Sequence, residues 1–461
     1  MRPRLLIRIL SVLLSMVVLA GLLPAGPAAA QAPPGSGGPR VILIRDAETE
    51  TLLRTYANPL FRAAGVDPNL VRIILIRDNA INSFVSTGNR MFVHTGLIMQ
   101  AESALEMVGV LAHETGHIAG GHLARLPDAM RQAMIESIVA VLIGAAAGAV
   151  TRDSGAIGAG LGAQQMAMRN FLSFTRGIEQ SADQGAMAFL DRNQWSARGL
   201  LDLFNRLESQ EALNSTQQDP YLLTHPLTRE RMAFVQEHVA RSPYSNNQLP
   251  PGFEQGFQMV RAKLHGFLDP SSVTLRTVAA TDKSAPARYA RAIALHRLAR
   301  TNEALALIDG LLAEQAGSPW LHELKGQMLF EGGRVREALG PYREAARLAP
   351  DQPQIRAALA HAMIESGDPL LLRPAVQQLQ SALDRDREDS DAWRSLGIAW
   401  GRVGDLGQAN LALAEEAMLL GDIRTARALA TKAEKLLPAG PARLRATDIS
   451  NAVKKENREG F

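Results

Sequence analysis

The stretch GVLAHETGHIAGGHLAR, residues 109–125, sets His113 and His117 four residues apart with Glu114 between them. On a helix such a pair faces one way. Glu114 then falls about 100° round the axis from His113, near enough to reach a metal-bound water without ligating the metal itself. Two imidazoles and a carboxylate so arranged suit metal-assisted peptide hydrolysis, in which the metal acidifies the water and the carboxylate takes its proton. A metal that does chemistry needs a third protein ligand and an open position. The long pattern H-E-x-x-H-x-x-G-x-x-H is met as far as Gly120 and then fails, because position 123 is leucine and the histidine falls at 122. Five residues beyond His117, His122 lies on another helical face and is read as a packing or capping residue. A glutamate on a second helix is the other solution. In RGIEQSADQGAMAFL, Glu179 and Asp183 form an i, i+4 pair with Ala182, Ala186 and Leu190 behind them. Glu179 can ligate zinc while Asp183 accepts the outer N–H of a histidine ligand and fixes its tautomer.

The elements that must position these residues follow from the flanking pattern. Asp46 can cap an amphipathic helix running to about Ala64, with Gly65 as its stop. VRIILIRD, NSFVST and RMFVHT read as three short strands joined by turns at Asp78-Asn79 and Gly88-Asn89. The segment ILIRD occurs at both 42 and 74, and the repetition is taken as chance. The histidine-bearing helix spans about Ala101 to Arg125, with Leu105, Val108, Leu111 and Ala112 recurring at helical spacing.

The first residues, MRPRLLIRILSVLLSMVVLAGLLPAGPAAAQ, carry three arginines ahead of an apolar run and a small-x-small cleavage site at Ala28-Ala29-Ala30. That pattern is a Sec-type signal peptide over 1–30 and points to the bacterial periplasm. Without Arg2, Arg4 and Arg8 the basic residues fall from 49 to 46, equal to the 46 acidic ones. A formally neutral mature chain gives no electrostatic argument for nucleic-acid binding. It holds no cysteine, so stability must come from core packing, repeats or metal. Two uncharged segments, 137–151 and 154–168, are each short of the roughly 20 residues that span a bilayer. They are read either as helices covering the core or cleft, or as a flap or membrane-surface element beside the site.

After a break near 269–286 the chain becomes alanine-rich. Residues 319–352 form a 34-residue unit with Trp320, Leu324, Gly326, Phe330, Gly333, Ala338, Tyr342, Ala346 and Pro350 where a tetratricopeptide repeat wants them. Gly326 and Gly333 recur as Gly397 and Gly404, two periods on plus a three-residue insertion around PLL. The reading is about four helical hairpins in a superhelix whose concave face takes polypeptide.

Four blocks, NSFVSTGNRMFVHTGLI, VGVLAHETGHIAGGH, EQSAD and THPLTRERM, resemble in order those of the gluzincin proteases related to HtpX and the CAAX prenyl protease. Joined to a signal peptide and C-terminal repeats, the architecture is similar to that of periplasmic protease-chaperones. The resemblance implies one Zn2+ per chain on His113, His117 and Glu179, with Glu114 as general base. It implies that the strand at Phe84, Val85 and Ser86 is the edge to which substrate adds. It further implies that His225 takes the fourth zinc position in a resting, latent state and that Arg231 stabilises the oxyanion. Serine and threonine in the edge block, where the family often has alanine and proline, bear on specificity rather than chemistry.

The expected fold is mainly α: a zincin-type α+β metalloprotease domain with a small β-sheet over 31–268, a linker over 269–285, and an all-α tetratricopeptide-repeat superhelix over 286–461. The expected function is hydrolysis of misfolded or stalled envelope proteins. By resemblance the clients are outer-membrane proteins or their assembly machinery, with possible membrane-surface contact through 137–168. The alternative is a chaperone or scaffold whose zinc site is latent. An intact Glu114 argues against it, since a structural metal has no use for that residue.

Overall fold

The computed structural model describes residues 42–122, 154–213 and 220–459. The signal-peptide reading lies outside them, as does that of 137–168 apart from the helical backbone from Ser154 onward. Among the described residues no helix is long and apolar enough to cross a membrane.

Asp46 caps the helix Ala47–Ala63 by accepting from the Thr49 amide at 2.8 Å, and Gly65 ends it with a φ of +73°. Four strands follow or flank it: β1 Leu43–Ile44, β2 Arg72–Ile76, β3 Ser83–Ser86 and β4 Arg90–His94, in the order β1-β2-β4-β3. β2 and β4 are parallel, and β3 folds back antiparallel to β4 through the Gly88-Asn89 turn. The repeated ILIRD segments meet in the fold. Leu43 pairs with Ile76 and Ile44 with Leu75, so the two copies lie side by side as antiparallel strands. A two-residue strand is too short to announce itself by alternation.

The histidine-bearing helix is Ala104–Ala119, capped by Ser103 on the Glu106 amide. It ends at Gly120, so His122 lies beyond it rather than on another of its faces. The long helix Ser154–Arg192 crosses it closely. A Cβ on Gly116 would come within 2.5 Å of the Ala182 carbonyl oxygen, so glycine is what lets the two backbones approach. Leu53, Tyr56, Phe61, Met91, Leu111, Leu190, Phe204 and Phe257 belong to the core beneath.

A second core begins at the helix Phe253–Leu268 and runs through paired helices. Their spans are Ala285–Arg297 with Thr301–Glu314, Pro319–Glu331 with Val335–Leu348, Pro353–Glu365 with Leu372–Arg385, and Ser390–Val403 with Leu406–Leu419. These are the four expected hairpins, and Ile423–Leu436 with Pro441–Glu459 adds a fifth pair. The insertion around PLL is a 3-10 turn at Pro369–Leu371. Within the segment read as a linker, Ser271–Thr277 is helical.

The two cores meet over buried charge. Lys263 Nζ lies 2.5 Å from Asp46 and 3.2 Å from Glu48, and Tyr289 donates to Glu48 at 2.9 Å. Arg45 pairs with Asp386 and Arg72 with Glu388, so the turn after the third helical pair also reaches back to the sheet region. Removing one partner of a buried ion cluster costs about 3–5 kcal/mol, because the other charges are left without water or counter-charge. Lys263→Met is therefore expected to lower the stability of the chain by about that amount at neutral pH. A urea midpoint equal to wild type would contradict it.

Candidate metal centre

Two helices and one loop supply the site. His113 and His117 project from Ala104–Ala119, Glu179 and Asp183 from Ser154–Arg192, and His225 from the end of the short helix Pro220–Thr224. His113, His117, Glu179 and His225 are all buried, and their candidate ligand atoms lie within 4.8 Å of one another. His113 Nε2 is 3.1 Å from His117 Nε2 and 3.3 Å from both His225 Nδ1 and a Glu179 oxygen. Glu179 reaches His225 Nδ1 at 3.1 Å and His117 Nε2 at 3.4 Å.

These separations bear on whether a metal fits. Bonds of ~2.0–2.1 Å to a tetrahedral ion set its ligands ~3.3–3.4 Å apart, close to the His113–His117, His113–His225, His113–Glu179 and Glu179–His225 distances, while Glu179 meets His117 through its other oxygen and the whole set spreads to 4.8 Å. The hydrogens agree. His113 Nδ1 donates to Asp183 at 2.8 Å, and His225 Nε2 donates to the Ser83 carbonyl at 3.0 Å. Each ring therefore keeps its outer hydrogen and turns a lone pair inward. Converging lone pairs in a dry interior repel unless a proton or a cation stands between them.

The ionisation of the metal-free chain reflects that crowding. Burial opposes charge on His113, yet the hydrogen bonds to Asp183 and Glu179 outweigh it and hold the imidazolium at about 9. Burial and then the charge of His113 drive His117 well below the usual histidine range. Burial would raise Glu179, but hydrogen bonds from His113 and His225 hold it well below the usual carboxylate range.

Glu114 is fully buried, and burial raises its pKa against the pull of His225 and His113. Neither of its carboxylate oxygens has a hydrogen-bond partner among the described residues. Its Oε1 lies 3.4 Å from His225 Nε2. A buried carboxylate with unused lone pairs, beside a cluster that can bind a cation, is placed to accept a proton.

Arg231 is also buried, and its donors are already engaged. Nε and one terminal nitrogen grip Asp183 at 2.6 and 2.9 Å. The other terminal nitrogen donates to the Pro226 carbonyl at 3.0 Å and lies 3.0 Å from Glu179. The sequence reading turned this guanidinium towards an oxyanion. In the structure it ties Asp183 to the His225 segment, which is a positioning geometry.

The edge strand is β3, bonded on one side to β4. Because the His94 amide donates to the Asn82 carbonyl, alternation turns the backbone groups of Phe84 and Ser86 towards β4 and those of Ser83 and Val85 away. Of the three residues expected to bind substrate, Val85 offers its backbone outward, and Ser83, absent from the sequence reading, joins it. Phe84 stacks on Phe92 with ring centroids 5.0 Å apart. His225 thus sits between the open edge and Glu114. A second residue missed as a partner is His122, whose Nδ1 lies 3.2 Å from His117 Nδ1. The paired glycines before it were the signal that the helix period should not be carried past 120.

Residues 46–239 match the model of peptidase family M48. The class that fold, site and match define together is a metalloprotease, with tetratricopeptide-like helical pairs behind its catalytic region. Over most of its length the chain is similar to the beta-barrel assembly-enhancing protease of Yersinia pestis, with 25% identity over 85% of this chain and 81% of that one. The Escherichia coli K12 protein of that name gives 25% over 85% and 80%. Among solved structures, YrrB, described as a TPR protein with an unusual peptide-binding site, aligns with 41% of this chain and 99% of its own. Its identity is 16% and its TM-score 0.30.

A metal binding here must displace the proton that His113 carries up to a pH of about 9. Metal affinity is therefore expected to rise about tenfold per pH unit between neutrality and that value, then level off. Chelator competition across that range measures it, and a flat profile would contradict the assignment.

Proposed function

We propose that the chain is a zinc-dependent endopeptidase of the bacterial periplasm, exported by a signal peptide over 1–30, that hydrolyses misfolded or stalled envelope proteins. In this reading 31–268 is the catalytic domain and the helical pairs from 286 grip the client. The observation that carries it is Glu114: a buried carboxylate without a hydrogen-bond partner among the described residues, beside four converging candidate metal donors. A purely structural metal site has no use for such a group.

His113, His117 and Glu179 would hold the zinc, with Asp183 fixing the His113 tautomer and Arg231 fixing Asp183. When bound, zinc supplies Lewis acidity for the attacked carbonyl and acidity for the attacking water. Glu114 takes the proton of that water and returns it to the leaving amine. Burial favours the protonated Glu114 that exists between those two transfers. The substrate lies along β3, exchanging backbone hydrogen bonds with Ser83 and Val85, a mode that reads backbone more than side chain.

His225 keeps this machinery latent. Its Nε2 donates to the Ser83 carbonyl that a substrate strand would use, and its Nδ1 joins the metal donors. Arg231, bonded to the Pro226 carbonyl, pins the segment in that position. Activation requires the His225 segment to leave.

The likeness to proteases named for enhancing β-barrel assembly supports outer-membrane proteins or their assembly machinery as clients. Cleavage of an unfolded polypeptide by the mature chain tests the reading. Glu114→Gln is expected to abolish cleavage while retaining zinc, and His225→Ala to raise the rate at least several-fold. Equal inactivity of all three proteins with zinc bound would favour a scaffold instead.

A further inference from the structure

His122 stands outside the donor cluster, yet the fold builds a contact for it. Its ring is buried and meets that of His117 edge to face, with centroids 5.1 Å apart and planes at 84°. The two Nδ1 atoms are 3.2 Å apart. Both residues that precede it serve that contact. Gly121 adopts a φ of +58°, a left-handed conformation that turns the chain back towards the helix it has just left. At Gly120 a Cβ would lie 2.2 Å from His122 Nε2 and 2.7 Å from two ring carbons, so only glycine leaves room for the imidazole.

The direction of the hydrogen bond follows from the ligand. His117 turns Nε2 towards His113 and Glu179, and a nitrogen that ligates must carry the lone pair. Its hydrogen is then on Nδ1, and the facing Nδ1 of His122 is the acceptor. We propose that His122 is the positioning residue for His117, accepting its Nδ1–H as Asp183 accepts that of His113, and that Gly120-Gly121 seats it there. This rests on His117 being a zinc ligand, as proposed above.

The two ligand histidines then have different partners, one a carboxylate and one a neutral ring. That difference suits the charge of the buried site. Glu114, Glu179 and Asp183 carry three negative charges against Arg231 and a dication, which is already a balance. A second carboxylate behind His117 would leave a net negative charge in an interior that tolerates none cheaply.

Zinc affinity of the purified mature chain, measured by competition with a chromophoric chelator at fixed pH, tests the assignment, with the melting temperature of the metal-free chain read alongside. His122→Phe keeps the ring volume and removes the acceptor, and is expected to weaken zinc binding about 10–100-fold while leaving that melting temperature near wild type. His122→Asn places Oδ1 where Nδ1 was and is expected to recover most of the affinity. Gly120→Ala displaces the ring, and is expected to match the loss in His122→Phe and to add nothing when the two are combined. Wild-type affinity in His122→Phe, or losses that add in the double variant, would overturn the proposal. Should His122→Phe not fold, Gly120→Ala against His122→Asn makes the same comparison. A wild-type chain that binds no zinc would instead overturn the reading of the site as a whole, an outcome visible before any variant is made.

Discussion

Four donor atoms, three of them imidazole nitrogens, are held within 4.8 Å of one another in a part of the protein closed to water. Without a cation they repel or must share protons, and each of those alternatives destabilises a dry interior. The surroundings hold the donors together regardless. Asp183 fixes His113, Arg231 grips Asp183 with two nitrogens and also reaches Glu179, and Ser83 orients His225. That scaffold in turn depends on the crossing of two helices at Gly116, where any side chain would meet the backbone at Ala182. The close helix crossing and the charge convergence are one feature seen at two scales.

The position of His225 links chemistry to access. One ring nitrogen completes the donor cluster while the other occupies the outward carbonyl of the edge strand. In the proposed function a single imidazole would thereby compete with both the attacking water and the substrate backbone. Arg231 belongs to the same device, because the guanidinium that fixes Asp183 also holds the Pro226 carbonyl. Release of the segment and loosening of the metal environment are therefore coupled through one side chain. The repeats join the protease body through Lys263 and its carboxylates and through the contacts of Arg45 and Arg72, so in the proposed function a client gripped there would pull on elements packed against the sheet.

Much of this was legible in the sequence, for identifiable reasons. His113, His117, Glu179 and Asp183 obey helical spacing, and a pair at i and i+4 can be placed without knowing the rest of the fold. The repeats are legible because a 34-residue period leaves small residues at fixed offsets, as at Gly326, where a Cβ would meet the Tyr342 ring. Other features were hidden. The β1–β2 pairing involves two residues a side, below the length at which alternation registers. The parallel β2–β4 contact leaves β3 as the edge, an order that no local pattern encodes and that only the family resemblance supplied. His122 was read as packing rather than ligating, and it packs on His117; that particular contact was hidden because it depends on the left-handed Gly121. Arg231 was aimed at an oxyanion by resemblance, whereas its hydrogen bonds to Asp183 and to main-chain carbonyls needed coordinates.

In the proposed function His225 shares one zinc with His113, His117 and Glu179 in the resting protein. X-ray absorption at the zinc edge, on the mature chain loaded with one equivalent, reads the imidazole count directly. Three imidazoles and one carboxylate oxygen are expected in wild type, falling to two imidazoles in His225→Ala. Two imidazoles in both proteins would contradict it, leaving His225 as a neighbour of the metal rather than its fourth ligand.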